Sequence, residues 1–353
     1  MKKLLSLLTA FTLSIGLFSC TKAKQANICI VKFGTHTSLD EIESSIKNRL
    51  IDKGYGSEKY ALDFYNANFS SADSASIMQS IKNKADVVVA IATPVAQAAY
   101  NNLKDTTPIV FAAVSDPMGA HLVSSLESPK ENITGTSDEI QVDLIIDKAL
   151  EINPTLSKLG FIYNPSEDNS VSNKAKIEAY CKEKKIEVIS STIQNAGEMS
   201  EVASVLVNKV EAMFVTDDNT VASAMSILSS ICREKKIPCY TGADSEVKDG
   251  GMLCVGINYK LLGETTADMV ISILEGVKIK DIPVKVFKDN LKTYLNTSYI
   301  EETNISIPSS ILNDPNLVKI TDNDYTRLAN YDFKHINIRI YFCLTRIWHL
   351  SIF

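Results

Sequence analysis

Short apolar runs alternate with longer amphipathic segments along most of the chain. The runs occupy 28–33, 60–65, 87–92, 109–114, 159–163, 186–189, 212–216, 238–241 and 252–257. Several, such as Val87-Val88-Val89-Ala90-Ile91-Ala92, are apolar at every position rather than at every second one. Strands covered on both faces have that character. Between them, apolar residues recur at helical spacing over 39–53, 72–83, 95–103, 171–184 and 220–235. Strand and helix in alternation predict a parallel sheet with helices on both faces. The strands are too many for one sheet and suit two. The expected fold class is therefore α/β, with two doubly wound parallel-sheet lobes.

An internal repeat supports two lobes. Asn83-Lys84-Ala85-Asp86 precedes one buried run and Asn208-Lys209-Val210-Glu211 precedes another, 125 residues later. Each run leads through a polar cap into a helix that begins Val-Ala-x-Ala, at Val95 and at Val221. Each copy is soon followed by a strand opened by a proline, Pro108 and Pro238.

The N-terminus reads as an address. Lys2 and Lys3 precede an apolar stretch from Leu4 to Phe18, too short to span a bilayer comfortably. It ends Leu17-Phe18-Ser19-Cys20, which resembles a bacterial lipobox, with Phe18 an unusual residue at its position. Residues 1–19 are expected to be a lipoprotein signal peptide, Cys20 the lipidated residue, and 20–27 a tether. Losing two lysines takes the formal charge from −6 to −8. An acidic chain disfavours a nucleic-acid partner, which needs a basic face. Charged residues at 22% and hydrophobic residues at 45% fit a folded globular chain. The six cysteines after Cys20 form no C-x-x-C pair, and the expected state is a buried thiol.

Ligands in open α/β sheets bind beyond the carboxyl ends of the strands. Small polar clusters follow these ends: His36 after the first run, Thr93 after the third, then Ser115-Asp116, Ser137-Asp138, Asn164 with Asn169-Ser170, Asp218-Asn219 and Asp244. Singly, each reads equally well as a helix cap, and His36 as an exposed loop residue. Together, two facing lobes with such ends form a cleft rich in backbone donors. Asp116, Asp218 and Asp244 supply carboxylates for a cation. A zwitterion such as an amino acid needs both kinds of site. Catalytic motifs are missing: there is no G-x-S-x-G elbow, no phosphate loop and no G-x-G-x-x-G. None of the four histidines has a partner at metal-ligand spacing. No enzyme activity, metal or cofactor is expected.

The junctions together resemble the substrate-binding lipoproteins of ABC transporters of the tryptophan/tyrosine-binding type. The carriers are VVVAIATPVAQAA (87–99), TPIVFAAVSDPMGAHLV (107–123), NITGTSD (132–138), LGFIYNPSEDNS (159–170), TDDNTVASA (216–224) and VKDGGMLCVGINYKLLGETTADM (247–269). The resemblance implies a type I periplasmic-binding fold, with two lobes joined by a three-strand hinge. Lobe one is then 28–137 plus 258–280, and lobe two 138–257 plus 281–320. It also implies a small-molecule ligand, no nucleic acid, and a partner permease and ATPase. Its cleft-lining positions fall on Thr93, Ser115, Asp116, Ser137, Asp138, Asn164, Asn169, Ser170, Asp218, Asn219 and Asp244. On this reading helix starts at Thr93 and Ser137 hold a carboxylate, Asp218 or Asp244 holds an ammonium, and Phe33 or Tyr163 packs on the ligand. One departure is the extra acid, Asp217, where family members often have Pro-Thr-Asp-Asn. Another is the aromatic extension 321–353, which lies beyond the family pattern. The expected protein is an extracytoplasmic, membrane-anchored monomer delivering a small molecule, an aromatic amino acid first, to an importer. The alternatives are a ligand-sensing lipoprotein that signals without transport and, less favoured, an enzyme on the same scaffold.

Overall fold

The computed structural model describes residues 26–56, 60–129, 131–289 and 291–322. The expected signal peptide, the lipidated Cys20 and almost all of the C-terminal extension lie outside them. The chain first builds one lobe: β1 (Ala26–Lys32), α1 (Thr37–Asp52), β2 (Tyr60–Asn66), α2 (Ser71–Ile81), β3 (Val87–Ile91), α3 (Thr93–Leu103), β4 (Ile109–Ala112) and β5 (Ile133–Ser137). It then builds a second: α4 (Val142–Ile152), β6 (Lys158–Tyr163), α5 (Asp168–Lys184), β7 (Glu187–Thr192), α6 (Met199–Leu206), β8 (Ala212–Phe214), α7 (Asn219–Ala222), α8 (Met225–Lys235), β9 (Cys239–Tyr240), α9 (Asp244–Lys248) and β10 (Leu253–Gly256). It returns to the first lobe for α10 (Tyr259–Leu274) and β11 (Lys285–Val286). It ends in the second with β12 (Lys292–Asn296), α11 (Thr297–Thr303), α12 (Ser309–Leu312) and β13 (Leu317–Ile320).

The first sheet runs β11-β5-β4-β3-β1-β2, with every neighbouring pair parallel. The second runs β13-β12-β10-β9-β8-β6-β7, antiparallel only between β10 and β12. The repeated runs become β3 and β8, which hold the same place in the two sheets. The all-apolar runs are covered on both faces, and β3 and β4 are buried at every residue. Each sheet has its own hydrophobic core. Two lobes rather than one follow from this: neither core is continuous with the other, and three crossings connect them.

Four boundaries differ from the sequence expectation. Ala26 and Asn27 are not tether; they pair with Tyr60 and Ala61 in the first sheet. Residues 285 and 286 belong to lobe one, because β11 extends the first sheet along β5, so the third crossing falls after 286. The helix expected over 220–235 is two helices, since Ala224 leaves helical geometry between α7 and α8. Asp322 is tied to lobe two by Arg233 Nη1 at 2.8 Å and Asn296 Nδ2 at 2.9 Å.

Helix α10 anchors the returning chain. Asn258 caps it through the Leu261 N–H at 3.2 Å. It packs closely on α1 because Gly263 has no side chain: a Cβ there would stand 2.7 Å from Ser45 Cβ and 2.8 Å from the Ile42 carbonyl oxygen. This contact places Tyr259, Leu39 and Ile42 around one end of the cleft. The described cysteines, Cys29, Cys181, Cys232, Cys239 and Cys254, are buried free thiols. Burial pushes the thiols of Cys29 and Cys181 up to about 12.

Candidate functional site

The carboxyl ends of both sheets face each other across a narrow cavity between the closed lobes. Lobe one contributes the loop before α1 (His36), the face of α1 (Ser38, Leu39, Ile42), the β3–α3 junction (Ala92, Thr93) and Ala113 after β4. Lobe two contributes Asn169 from α5, and Asp217, Asn219 and Ala222 from the β8–α7 turn. Two crossings add Asp138 and Tyr259. The lobes close directly on one another. Thr37 Oγ1 donates to Asp249 at 2.8 Å, Ser38 and Ser245 hydroxyls meet at 2.7 Å, and Lys248 Nζ reaches Glu41 at 2.9 Å. At another edge Gln97 donates to Asp168 at 2.7 Å and Ser172 to Asp116 at 2.8 Å. In the middle Ser115 Oγ donates to Asp217.

The two halves of the cavity carry opposite electrostatic character. On the lobe-one side, neither α1 nor α3 has a side-chain cap, so the positive dipole end of each is left without a capping side chain. At the start of α3 the backbone is held in a form few L-residues take, with Ala92 at φ 83 and ψ 153. Ala113, the neighbouring strand end, has φ 55. Strained backbone of this kind persists where the surrounding structure dictates it, often at ligand sites. On the other side stand two buried carboxylates. Asp138 accepts from Tyr259 Oη at 2.9 Å through Oδ2, while its Oδ1 has no partner. Asp217 accepts from Asn173 Nδ2 at 2.6 Å and from Ser115. Burial raises the pKa of both, and for Asp217 the charge of Asp138 adds to it. Asn169 donates to the Asp217 carbonyl at 3.1 Å and leaves its own Oδ1 unpartnered.

Of the twelve expected site residues, His36, Thr93, Asp138, Asn169 and Asn219 line this cavity. Ser115 touches it through Asp217. The rest do structural work. Asp218 is an N-cap: its carboxylate accepts from Val221 N at 2.9 Å, Asn164 N at 2.6 Å and Ser170 Oγ at 2.7 Å. Burial and the neighbouring Glu167 lift its pKa to about 7. Asp244 lies buried against Lys248 Nζ at 2.8 Å. Neither is placed for a ligand ammonium. Asp116 holds the Gly119 N–H at 2.8 Å on the rim. Ser137 is the last residue of β5, not a helix start, and donates to the Ser115 carbonyl at 3.3 Å. Asn164 and Phe33 line a separate, wider cleft. Tyr163 stacks on Phe161 and faces Lys174. The aromatic ring at the cavity is Tyr259.

Tyr259, Ser38, Leu39, Ile42, Ala92, Ala113 and Ala222 escaped the sequence reading as contacts, and the sequence marks Asp217 only as an extra acid bearing on the ligand's charge, not as a lining residue. For Asp217 a signal existed. Asp218 stands three residues before Val221, the N-cap spacing, so its side chain turns back onto the helix. The preceding acid must then point the other way, toward the cleft.

Two α/β lobes that close over a small cavity lined by buried carboxylates define a solute-binding protein. The chain belongs to the ABC transporter substrate binding protein family, whose model matches residues 27–319. It is 36% identical over 301 residues to the tyrosine-binding protein of Clostridioides difficile (strain R20291), covering 80% of this chain and 87% of that one. It superposes on the L-Trp complex of an ABC domain from Streptococcus pneumoniae with a TM-score of 0.79 at 33% identity, covering 84% of this chain and all of that one. Against the ligand-free, open structure of a substrate-binding protein from Clostridium difficile, also 33% identical, covering 84% of this chain and 99% of that one, the TM-score is 0.63. At equal identity the fit is better to the ligand-bound relative, in keeping with lobes bridged as described above. Proteins of this family bind small ligands and work with transporter components rather than catalyse reactions. Among the described residues no helix is long and apolar enough to cross a membrane.

Proposed function

We propose that this protein captures a free aromatic amino acid outside the cytoplasm and presents it to a membrane permease driven by an ATPase. The carrying observation is the pair of buried, unpartnered acceptors, Asp138 Oδ1 and Asn169 Oδ1, on one cavity with Asp217. Buried polar atoms are nearly always hydrogen-bonded, and acceptors alone call for a donor-rich cation. A primary ammonium supplies three N–H donors and the positive charge. The uncapped starts of α1 and α3 suit a carboxylate on the facing side. Leu39, Ile42 and Tyr259 suit an aromatic side chain. The tyrosine-binding protein and the L-Trp complex among its relatives agree with this class.

The lipobox-like Leu17-Phe18-Ser19-Cys20 supports a lipid anchor on Cys20 that keeps the monomer at the membrane. Two experiments test the proposal. Native mass spectrometry of the purified protein should show one bound aromatic amino acid per chain, released on denaturation. An amino-acid panel that leaves the melting temperature unmoved would refute the ligand class, since binding to the native state must raise apparent stability. A Cys20→Ala variant should pass from the membrane fraction to the medium or periplasm; retention would refute the anchor.

A further inference from the structure

Three side chains in a row set the chemistry of one further atom in the cavity. Glu167, buried, accepts from Asn219 Nδ2 at 2.5 Å and from the Asn219 and Thr220 N–H groups at 3.1 Å each. That fixes the Asn219 amide with its oxygen turned outward, 3.2 Å from His36 Nε2. An amide oxygen can only accept, so Nε2 carries the ring proton and Nδ1 bears a lone pair. Nδ1 is buried and has no partner. Burial also pushes the His36 pKa down to about 4, so the ring is neutral at neutral pH. His36, Leu39 and Ile42 recur at intervals of three, and all three line the cavity. They form an apolar wall that carries one polar acceptor. The acceptors suited to an ammonium lie elsewhere, on Asp138 and Asn169.

We propose that His36 Nδ1 is the specificity-determining atom of the site, accepting a hydrogen bond from an O–H or N–H on the ligand's ring. The inference rests on the amino-acid reading above and deepens it. The Glu167–Asn219 pair acts through His36, holding the tautomer that leaves Nδ1 an acceptor. Tyrosine and tryptophan carry a ring donor; phenylalanine has the same shape without one and would leave Nδ1 buried and unsatisfied. A lost neutral hydrogen bond plus an orphaned acceptor corresponds to about tenfold to a hundredfold in affinity.

Titration calorimetry of the purified protein with L-tyrosine, L-tryptophan and L-phenylalanine tests this, beside a His36→Phe variant. The expected result is a preference for the two ring donors of at least about tenfold in the native protein, lost in the variant. Equal affinity for phenylalanine and tyrosine in the native protein would overturn the inference while leaving the amino-acid reading intact. An equal loss for all three ligands in the variant would assign Nδ1 to the shared ammonium and overturn it too. Failure of all three to bind would overturn the underlying reading. Should the variant not fold, ¹⁵N NMR of the native protein decides: His36 must show its proton on Nε2, and a proton on Nδ1 would refute the relay.

Discussion

Replacing Asp138 by Asn separates what this carboxylate does for the ligand from what it does for the fold. Its Oδ2 accepts from Tyr259 Oη at 2.9 Å and its Oδ1 is buried without a partner. Asparagine keeps an oxygen for the tyrosine but puts a neutral amide where the second oxygen was. The lost interaction with an ammonium is a charge-assisted hydrogen bond, with a net contribution of about 1.5–3 kcal/mol. The dissociation constant should therefore rise by about ten- to 150-fold. Stability without ligand should move the other way or not at all, because burying a carboxylate costs more than burying an amide. Burial already holds the Asp138 pKa above its ordinary value, the mark of that cost. Calorimetry with an aromatic amino acid and with its deaminated analogue, on both proteins, isolates the ammonium term. The substitution should weaken the amino acid far more than the analogue. Equal weakening would show that Asp138 does not meet the ammonium. A melting point lowered by more than about 5 °C, over 1 kcal/mol for a protein of this size, would show that the carboxylate holds Tyr259 and α10 in place.

Further consequences can be checked on stability and affinity. Ala92→Gly should stabilise the protein: relief of the positive-φ strain is worth about 1–3 kcal/mol, offset by about 0.5–1 kcal/mol of chain entropy; a lower melting point would deny the strain. Gly263→Val should destabilise by about 1–3 kcal/mol through overpacking against α1 and weaken ligand binding, as Leu39 and Ile42 shift; wild-type affinity would disconnect that helix pair from the cavity. The buried acids set the pH dependence. Asp138, Asp217 and Glu246 have raised pKa values and Asp218 is lifted to about 7. The folded state therefore holds more protons than the unfolded chain between about pH 4 and 7, and stability should fall as pH rises through that window. Asp244 and Asp249, also raised, add to the fall. His36, depressed to about 4, works in the opposite sense between about pH 4 and 6.5, and the lowered carboxyls of Glu127, Asp147, Glu211 and Asp322 do so mainly at the acid end, near and below about pH 4. Urea midpoints that climb steadily from pH 5 to 8 would contradict this.

The fold was legible because its signals are local. Uniformly apolar runs such as 87–92 cannot sit on a half-exposed sheet, and the repeat at 125 residues marked equivalent strands in two lobes. The failures came where long-range pairing decides. Lys285–Val286 is too short to announce itself, and only the free edge of β5 draws it into the first sheet. The site was half legible. Strand-end positions located Thr93, Asp138, Asn169 and Asn219, but not which polar groups are consumed internally. Asp218 and Asp244 are acids of the same type as Asp217, yet three donors occupy Asp218 and Asp244 is drawn to Lys248.

That division has a physical logic bearing on how such a site evolves. The short helix α7 has its first N–H groups occupied by Glu167 and Asp218, so that helix offers no open end to the cavity. The longer α1 and α3 of lobe one are left uncapped. The chain thus neutralises the dipole of α7 with its own carboxylates and leaves the starts of α1, α3 and α5 without a capping side chain. The same Glu167 that caps α7 also orients Asn219, and through it His36. One buried acid therefore makes lobe two acceptor-rich and fixes which ring nitrogen of a lobe-one histidine can accept. A ligand that brings an anion to lobe one and donors to lobe two satisfies both halves only when the lobes are shut. Closure and recognition are then the same event, and the cavity's unpaired acceptors are what make an ill-matched ligand unable to hold it closed.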